Sequence, residues 1–140
     1  MSGIKSFKLV ALDSNIFIYN LERNPHHVSF TDIIFNRLMD DKLQATTSIL
    51  SLTEILSYPA TGPVVKQITE DFYNTPNLKV IDVRKDAAVE AAEIRREYGF
   101  KLPDAVQLAT ALLSKARAFI TNDQRLKPFK KLKVLSLKEI

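Results

Sequence analysis

The sequence predicts an α/β fold with a central, mostly parallel sheet of four to five strands and helices on both faces. Short apolar runs typical of buried strands alternate with segments of roughly 10–25 residues in which apolar side chains recur at helical spacing. Parallel strands need crossover connections of about a dozen residues or more, usually helical. The length of 140 residues suits one core, and no repeat or linker divides the chain. We therefore expect a single domain over residues 1–140.

Composition places the chain among ordinary globular proteins and excludes several functional classes. Apolar residues make up 46% and charged residues 26% of the sequence, and cysteine is absent. Disulfides, thiolate metal sites and a cysteine nucleophile are therefore excluded. No apolar run approaches the roughly 20 residues that span a bilayer. The apolar stretch near the N-terminus, before the first acidic residue, is too short for a signal peptide. We expect a cytoplasmic protein with no membrane contact.

The first half of the chain predicts two strands, each followed by helices. In order, the elements are a strand over 8–12, a helix over 16–21, a helix over 30–39, a strand over 43–47 and a helix over 49–57. Ser14 or Asn15 can cap the first helix, and Ser48 can cap the third. Pro59 ends this third helix, because proline cannot continue a helical hydrogen-bond ladder.

The second half predicts three more helices and three more strands. They are a helix from Pro63 to about Tyr73, a strand over 78–83, helices over 86–98 and 104–115, and strands over 118–121 and 133–135. Pro63 suits the first turn of its helix. Gly99 is a plausible C-cap for the helix before it.

Four acidic residues lie where a parallel sheet would gather them at one edge. Asp13 closes the first predicted strand and Asp123 follows the fourth. Glu54 lies in the helix after the second strand, and Asp104 in the first turn of a late helix. Ligands of open parallel sheets bind outside the carboxyl ends of the strands. These acids are therefore candidate site residues, whereas Asp82, inside or at the edge of the third strand, is a weaker candidate.

Each acid also has a simpler explanation. A carboxylate can cap a helix, complement a helix dipole, form a turn or face solvent. A helical wheel places Asp104 on the flank of an apolar stripe, where it can point into a cleft. The same wheel places Glu54 nearly opposite its apolar stripe, which favours an exposed side chain.

Taken together, four carboxylates at one sheet edge would repel one another unless a cation lay among them. Oxygen ligands without cysteine or a clear histidine partner favour Mg²⁺ or Mn²⁺ over zinc. Such an ion beside water is suited to the hydrolysis of phosphodiester bonds.

The order and spacing of these motifs resemble the PIN domain, and the chain length is similar to that of VapC-type toxins of prokaryotic toxin–antitoxin pairs. The motifs are Asp13-Ser14-Asn15, Glu54, Leu102-Pro103-Asp104-Ala105 and Thr121-Asn122-Asp123. The resemblance extends from Val10 to about Leu135. It implies a three-layer α/β/α sandwich and a hydrolase, an endoribonuclease that depends on Mg²⁺ or Mn²⁺.

The resemblance also implies roles for individual residues. Asp13, Glu54, Asp104 and Asp123 correspond to the four acidic positions that hold the metal and act in catalysis, which turns Glu54 toward the cleft. Asn15 and Thr121 correspond to polar positions, and we expect them to hydrogen-bond these carboxylates. The implied partners are an RNA substrate, a cognate antitoxin and a second copy of the chain.

The basic C-terminal segment suggests a further contact with RNA. Residues 124–140 contain six basic residues and one acidic residue, a net charge of +5. Lys127, Lys130 and Lys131 follow Asp123 closely, so we expect them to contact phosphate near the catalytic edge. A solvated surface explains the same residues.

Several other functions compete with this interpretation. A stand-alone RNA-processing nuclease and a non-catalytic module that binds RNA or protein fit the same fold. A haloacid-dehalogenase-like phosphatase fits poorly because Asn15 occupies the position of its general acid. A response-regulator receiver also fits poorly, because it needs an acidic pair and only one acid, Asp13, follows the first strand. His26 and His27 are expected in a solvated loop between two helices.

Overall fold

A computed structural model describes residues 3–140 as a five-stranded sheet flanked by helices. The strands are β1 (Leu9–Leu12), β2 (Gln44–Ser48), β3 (Leu78–Ile81), β4 (Ala118–Ile120) and β5 (Lys133–Leu135). The helices are α1 (Ser14–Leu21), α2 (Val28–Met39), α3 (Leu50–Ile55), α4 (Gly62–Tyr73), α5 (Lys85–Tyr98) and α6 (Leu102–Leu113). Short 3₁₀ helices span Ile4–Ser6, Gln124–Leu126 and Leu137–Glu139.

The sheet has the strand order β3-β2-β1-β4-β5, and each neighbouring pair is parallel. Because the strands run in one direction, their carboxyl ends meet at a single edge, which we call the carboxyl edge. The strand β1 lies at the centre, so its last residue has a neighbouring strand on each side. The predicted sheet is confirmed.

Side chains of successive strand residues point into two separate cores. In β1, Val10 and Leu12 pack into a core that includes residues of α1, α2, α3 and α4. Ala11, between them, packs into a second core built with α5 and α6. This two-residue alternation is what a strand buried on both faces requires. It produces the predicted α/β/α sandwich.

A few element boundaries differ from the sequence prediction. Asp13, rather than Ser14 or Asn15, is the N-cap of α1. The third strand ends at Ile81 instead of Val83, and α6 ends at Leu113 instead of Lys115. Leu102 and Pro103 open α6 as predicted, since proline is accepted within a first helical turn. Gly99 ends α5 as predicted, in the left-handed conformation with φ of 73°. Within residues 3–140, no helix is both long and apolar enough to cross a bilayer.

Candidate active site

Asp13 occupies the centre of the carboxyl edge, at the junction of β1 and α1. Its backbone N–H donates to the Ile120 carbonyl at 3.0 Å, which joins it to the end of β4. Its side chain is 5% exposed. Burial raises its pKa from 3.8 to about 6; hydrogen bonds from Thr121 and Ser14 act in the opposite direction, while the charges of Glu54 and Asp104 add to the increase. Asp13 is thus a buried carboxylate with two acidic neighbours.

The hydroxyl of Thr121 links the two strand ends. It donates to Asp13 Oδ2 at 2.7 Å and accepts from the Asp123 backbone N–H at 3.0 Å. It also accepts from Asn15 Nδ2 at 3.3 Å, while Asn15 Oδ1 accepts from the Asn122 N–H at 3.4 Å. One hydroxyl has one donor and two acceptor positions, so Thr121 is fully used. Thr121 contacts Asp13 as predicted, whereas the contacts of Asn15 reach the carboxylates only through Thr121 and Asn122.

Glu54 lies in the last turn of α3, beside Asp13. Its side chain is half-buried, and among the described residues its Oε1 is a buried atom without a hydrogen-bond partner. The exposed position that the helical wheel favoured is therefore wrong. The helix α3 contacts both α1 and α6, so the side of the wheel away from its own core is also covered. Glu54 carries an open oxygen acceptor toward the interior.

Asp104 lies in the first turn of α6, with 20% of its side chain exposed. Burial is the main cause of its raised pKa, followed by the charge of Asp123; the charges of Arg125 and Lys101 counteract part of this increase. Its charge also raises the pKa of Asp13, so the two groups are close enough to interact. The helical wheel placed Asp104 on the flank of an apolar stripe, and its side chain is mostly buried there.

Asp123 is held by an arginine that the sequence analysis did not single out. Arg125 donates from Nε to Oδ1 at 2.9 Å and from Nη2 to Oδ2 at 2.5 Å. These hydrogen bonds are the main cause of the lowered pKa of Asp123. The same Nη2 lies 4.0 Å from Asp104 Oδ2. Arg125 therefore neutralises the outer part of the acidic group.

A buried polar chain below the carboxyl edge ties together the elements that carry the acids. Thr47 of β2 donates to the Leu12 carbonyl at 2.8 Å and lies 2.7 Å from the Ser51 hydroxyl of α3. Gln107 of α6 donates to that hydroxyl at 2.8 Å. Thr47, Ser51 and Gln107 are each at most 2% exposed. A glutamine between Val106 and Leu108 in an apolar helix was the sequence signal for this contact.

The donor set fits a hard divalent cation, although the acids do not form a closed metal site. Among residues 3–140, no three histidine or acidic side chains are placed to hold an ion together. Oxygen-only donors suit Mg²⁺ or Mn²⁺. The open oxygen of Glu54 and the raised pKa of Asp13 are features that a nearby cation would compensate. Arg125 already supplies one positive charge at Asp123.

The predicted RNA-binding lysines share one groove beside β4 and β5. Lys127, Lys130 and Lys131 line a groove of about 670 Å³ together with Arg117 and Lys133. Arg117 directly precedes β4 and Lys133 begins β5, so this groove reaches the amino ends of these strands. The reason is topological: β5 is parallel to β4, so the chain after Asp123 must return to the opposite edge.

Two of these lysines are already paired within the chain. Lys127 Nζ donates to Glu139 and to the Val134 carbonyl. Lys131 Nζ lies 3.6–3.8 Å from three glutamates of α5, which are Glu90, Glu93 and Glu97. For Lys130, no acidic side chain in the described part of the chain forms an ion pair. Lys130 is therefore the least neutralised of the three.

His27 lies closer to the carboxyl edge than the sequence indicated. Its Nε2 and the Tyr19 hydroxyl are each 3.5 Å from the side-chain nitrogen of Asn122, the residue between Thr121 and Asp123. The rings of Tyr19 and His27 pack with centroids 4.3 Å apart. His27 is half-buried, whereas His26 is exposed, as expected for the loop.

Comparison with known proteins agrees with this architecture. The structure is similar to that of a toxin–antitoxin complex from Klebsiella pneumoniae, with 26% identity, a TM-score of 0.69, and coverage of 94% of this chain and 99% of that chain. It is also similar to VapBC2 from Rickettsia felis bound to a promoter DNA fragment (17% identity, TM-score 0.70, 91% and 98% coverage) and to DNA-bound VapBC from Salmonella typhimurium (19%, 0.68, 94% and 98%). The latter two likenesses show the fold alone.

A family model decides the assignment. None of the curated proteins compared with this chain matches it significantly. The model of the PIN domain, a family of nucleases, matches residues 10–133, which contain all four acids. The matched region and the sheet topology agree with the motifs at Asp13, Glu54, Asp104 and Asp123. The chain therefore belongs to the PIN domain family.

Proposed function

We propose that this protein is an endoribonuclease that depends on Mg²⁺ or Mn²⁺ and is the toxin of a toxin–antitoxin pair. The observation that carries the proposal is the environment of Asp13: a buried carboxylate whose pKa is raised to about 6 by burial, with further contributions from Glu54 and Asp104. A structural role alone would be served by a neutral side chain at lower cost, because burying like charges is unfavourable. A site that receives a cation gives these charges a use.

Asp13 and Asp104 would be the principal ligands of the metal. Asp13 is fixed at a strand end, and Asp104 is on a helix that the buried contact of Gln107 ties to α3. Glu54 and Asp123 would complete the ligand set, directly or through water. When bound, the ion lowers the pKa of a bound water and offsets charge on the phosphate.

The chain's own residues would orient the reaction. The open Oε1 of Glu54 is an acceptor for a proton of the attacking water. The N–H of Ser14 donates to Asp13 Oδ1 at 2.8 Å while Thr121 donates to Oδ2, so both oxygens of Asp13 are held in place. Outer contacts of this kind orient metal ligands and increase their affinity.

RNA is the substrate that the likeness to toxin PIN domains favours. The chain carries a net charge of +4, which suits an anionic polymer. Contact of Lys127, Lys130 and Lys131 with RNA stays a prediction. Since their groove reaches the amino ends of β4 and β5, Lys130 and Lys131 would bind a part of the RNA remote from the cleaved bond.

The proposed protein partners are an antitoxin and a second copy of the chain. The Klebsiella pneumoniae structure is described as a toxin–antitoxin complex, and at 26% identity it supports an antitoxin for this chain. A dimer interface could use apolar side chains that the helices α2 and α4 expose. Ile33, Met39, Val64 and Tyr73 are between 45% and 63% exposed, which supports this part of the proposal. Light scattering of the purified protein would test dimer formation.

A cleavage assay tests the enzymatic part of the proposal. Purified protein is incubated with single-stranded RNA and Mg²⁺ or Mn²⁺, and cleavage is expected to stop on addition of EDTA. Asp13→Asn and Asp104→Asn should be inactive, whereas Asp32→Asn, at an exposed ion pair with Arg23, should be active. RNA binding without cleavage would contradict the enzyme and favour a non-catalytic module.

A growth assay tests the biological role in the cell. Expression of the wild-type chain should arrest growth, and co-expression of a small neighbouring open reading frame should relieve the arrest. The Asp13→Asn variant should not arrest growth. An active nuclease without toxicity would contradict the toxin role and favour a stand-alone processing enzyme.

A further inference from the structure

The guanidinium of Arg125 lies against two of the four proposed metal ligands. It makes two parallel hydrogen bonds to Asp123, at 2.9 Å and 2.5 Å, and its Nη2 is 4.0 Å from Asp104 Oδ2. Both oxygens of Asp123 are therefore occupied by a cation of the chain itself. A divalent ion that uses Asp123 must compete with this contact.

The Arg125 side chain is placed so that it can leave. It is 62% exposed, whereas the side chains of Asp104 and Asp123 are only 20% and 21% exposed. Ion pairs with an exposed partner contribute little to stability because solvent screens them. Release of the guanidinium would leave the local turn intact, since the Arg125 backbone N–H also donates to Asp123 Oδ1 at 3.0 Å.

We propose that Arg125 is an exchangeable counter-ion that sets the metal affinity of the site. In the metal-free protein its guanidinium neutralises Asp123, and it gives this carboxylate up when a divalent cation binds. The inference rests on the proposed function, because it takes Asp123 as a metal ligand. It predicts that the native arginine weakens metal binding, the reverse of what a structural salt bridge would do.

Calorimetric titration of the purified protein with Mn²⁺ tests this without any measurement of activity. Arg125→Gln should bind Mn²⁺ about three- to tenfold more tightly than the wild type, the range expected when a competing exposed ion pair is removed. Arg125→Lys keeps the charge but loses the two-pronged contact, so it should fall between them. Unchanged or weaker binding by Arg125→Gln would overturn the proposal.

Lys101→Gln is the matched control for charge alone. The Lys101 charge lowers the pKa of both Asp104 and Asp123, but no hydrogen bond or ion pair with them is present in the described chain. Its removal should tighten Mn²⁺ binding by about twofold or less, as expected for a screened charge. If Lys101→Gln tightened Mn²⁺ binding as much as Arg125→Gln, the change in metal affinity would come from general electrostatics, and the exchange would be refuted.

A second measurement uses the wild-type protein. In a ¹⁵N spectrum, the Arg125 Nε–H signal should be protected from solvent exchange in EDTA and should lose that protection when Mg²⁺ is added. Retained protection at saturating Mg²⁺ would contradict the exchange. The two proposals fail differently. If the wild type shows no Mn²⁺ binding that the Asp13→Asn substitution abolishes, the metal site is refuted. If such binding exists but substitution of Arg125 does not change it, only the exchange is refuted.

Discussion

Asp13 and Asp123 follow neighbouring parallel strands, yet the fold treats their charges in opposite ways. Asp13 is buried, and neutral donors from Ser14 and Thr121 hold it while burial raises its pKa. Asp123 is nearer the surface and is paired with Arg125, which lowers its pKa. Position at a strand end brings a carboxylate to the site, but its neighbours decide whether its charge is already compensated. On the proposed function an external cation would compensate the charge of Asp13, whereas Arg125 already compensates that of Asp123.

The most direct way to break this comparison is to remove each carboxylate in turn. Loss of an outer contact to a metal ligand costs about 10–100-fold in affinity or activity. Asp13→Asn removes a proposed principal ligand, so it should reduce metal-dependent RNA cleavage by more than this. Asp123→Asn should reduce it less, because Asp123 is proposed to complete the ligand set, directly or through water, rather than to be a principal ligand. Initial rates at saturating Mg²⁺ measure both. Equal losses would show that the two carboxylates are equivalent in the active enzyme.

The pH dependence of stability sharpens the contrast for Asp13. Its folded pKa of about 6 exceeds the ordinary 3.8, so between these values the folded protein binds the proton more tightly than the unfolded chain. The contribution of Asp13 to the free energy of unfolding should therefore fall by about 3 kcal/mol as pH rises through this range.

Urea unfolding in EDTA from pH 3 to pH 7, compared between the wild type and Asp13→Asn, isolates this contribution. Asp123 acts in the other direction, since its lowered pKa makes its contribution to stability fall as pH falls. Parallel pH profiles for the wild type and the variant would show that Asp13 titrates normally.

The hydroxyl of Thr121 contacts both the Asp13 carboxylate and the Asp123 backbone, so substitution of Thr121 can break the link between the two residues. Thr121→Val keeps the shape but leaves Asp13 without one donor and the Asp123 N–H without its acceptor. Unfolding free energy should fall by about 1–3 kcal/mol, and Mn²⁺ affinity by about tenfold or more. Thr121→Ser retains the hydroxyl and should behave nearly as the wild type, and if it failed as the valine variant does, the methyl group would be responsible.

The smallest expected effect concerns the lysines, where the same distinction between paired and unpaired charge applies. Lys130→Gln should reduce the salt dependence of RNA affinity by about one phosphate contact. Lys127→Gln and Lys131→Gln should change it less, because glutamates already neutralise these ammonium groups. Fluorescence anisotropy with labelled RNA at several salt concentrations measures the slopes. Equal slopes for all variants and the wild type would show that this groove does not contact the RNA.

Much of the fold was predictable because the signals are local. Apolar runs, apolar residues at helical spacing, and the positions of proline and glycine defined nearly every strand and helix, and the parallel direction of the strands followed from the lengths of the connections. Strand ends located Asp13 and Asp123, since a strand's carboxyl end is visible in the sequence. For Lys130 and Lys131, proximity along the chain to Asp123 does not imply proximity in space, because a parallel β5 requires the chain to return to the other edge.

Other parts of the site depend on contacts that no single segment reveals. The helical wheel failed for Glu54 because α3 is short and is covered on more than one side. Arg125 is only two residues from Asp123, but its direction depends on the 3₁₀ helix that Asp123 caps, and the sequence did not predict this helix. Gln107 stands out in an apolar helix, but its partner Ser51 is 56 residues away and cannot be identified from the sequence alone. Such pairings between distant residues are set by tertiary packing.

The buried chain of Thr47, Ser51 and Gln107 has a consequence for engineering. Polar groups in a core are costly, and apolar replacements of matching volume often increase thermal stability. Selection for heat resistance alone would therefore favour replacing these residues together. The product would fold well, but α3 and α6 would lose the contact that fixes their relative orientation. We expect such selection to produce stable proteins with little activity. The polar interior lowers thermal stability, but it holds α3 and α6 in a fixed relative orientation.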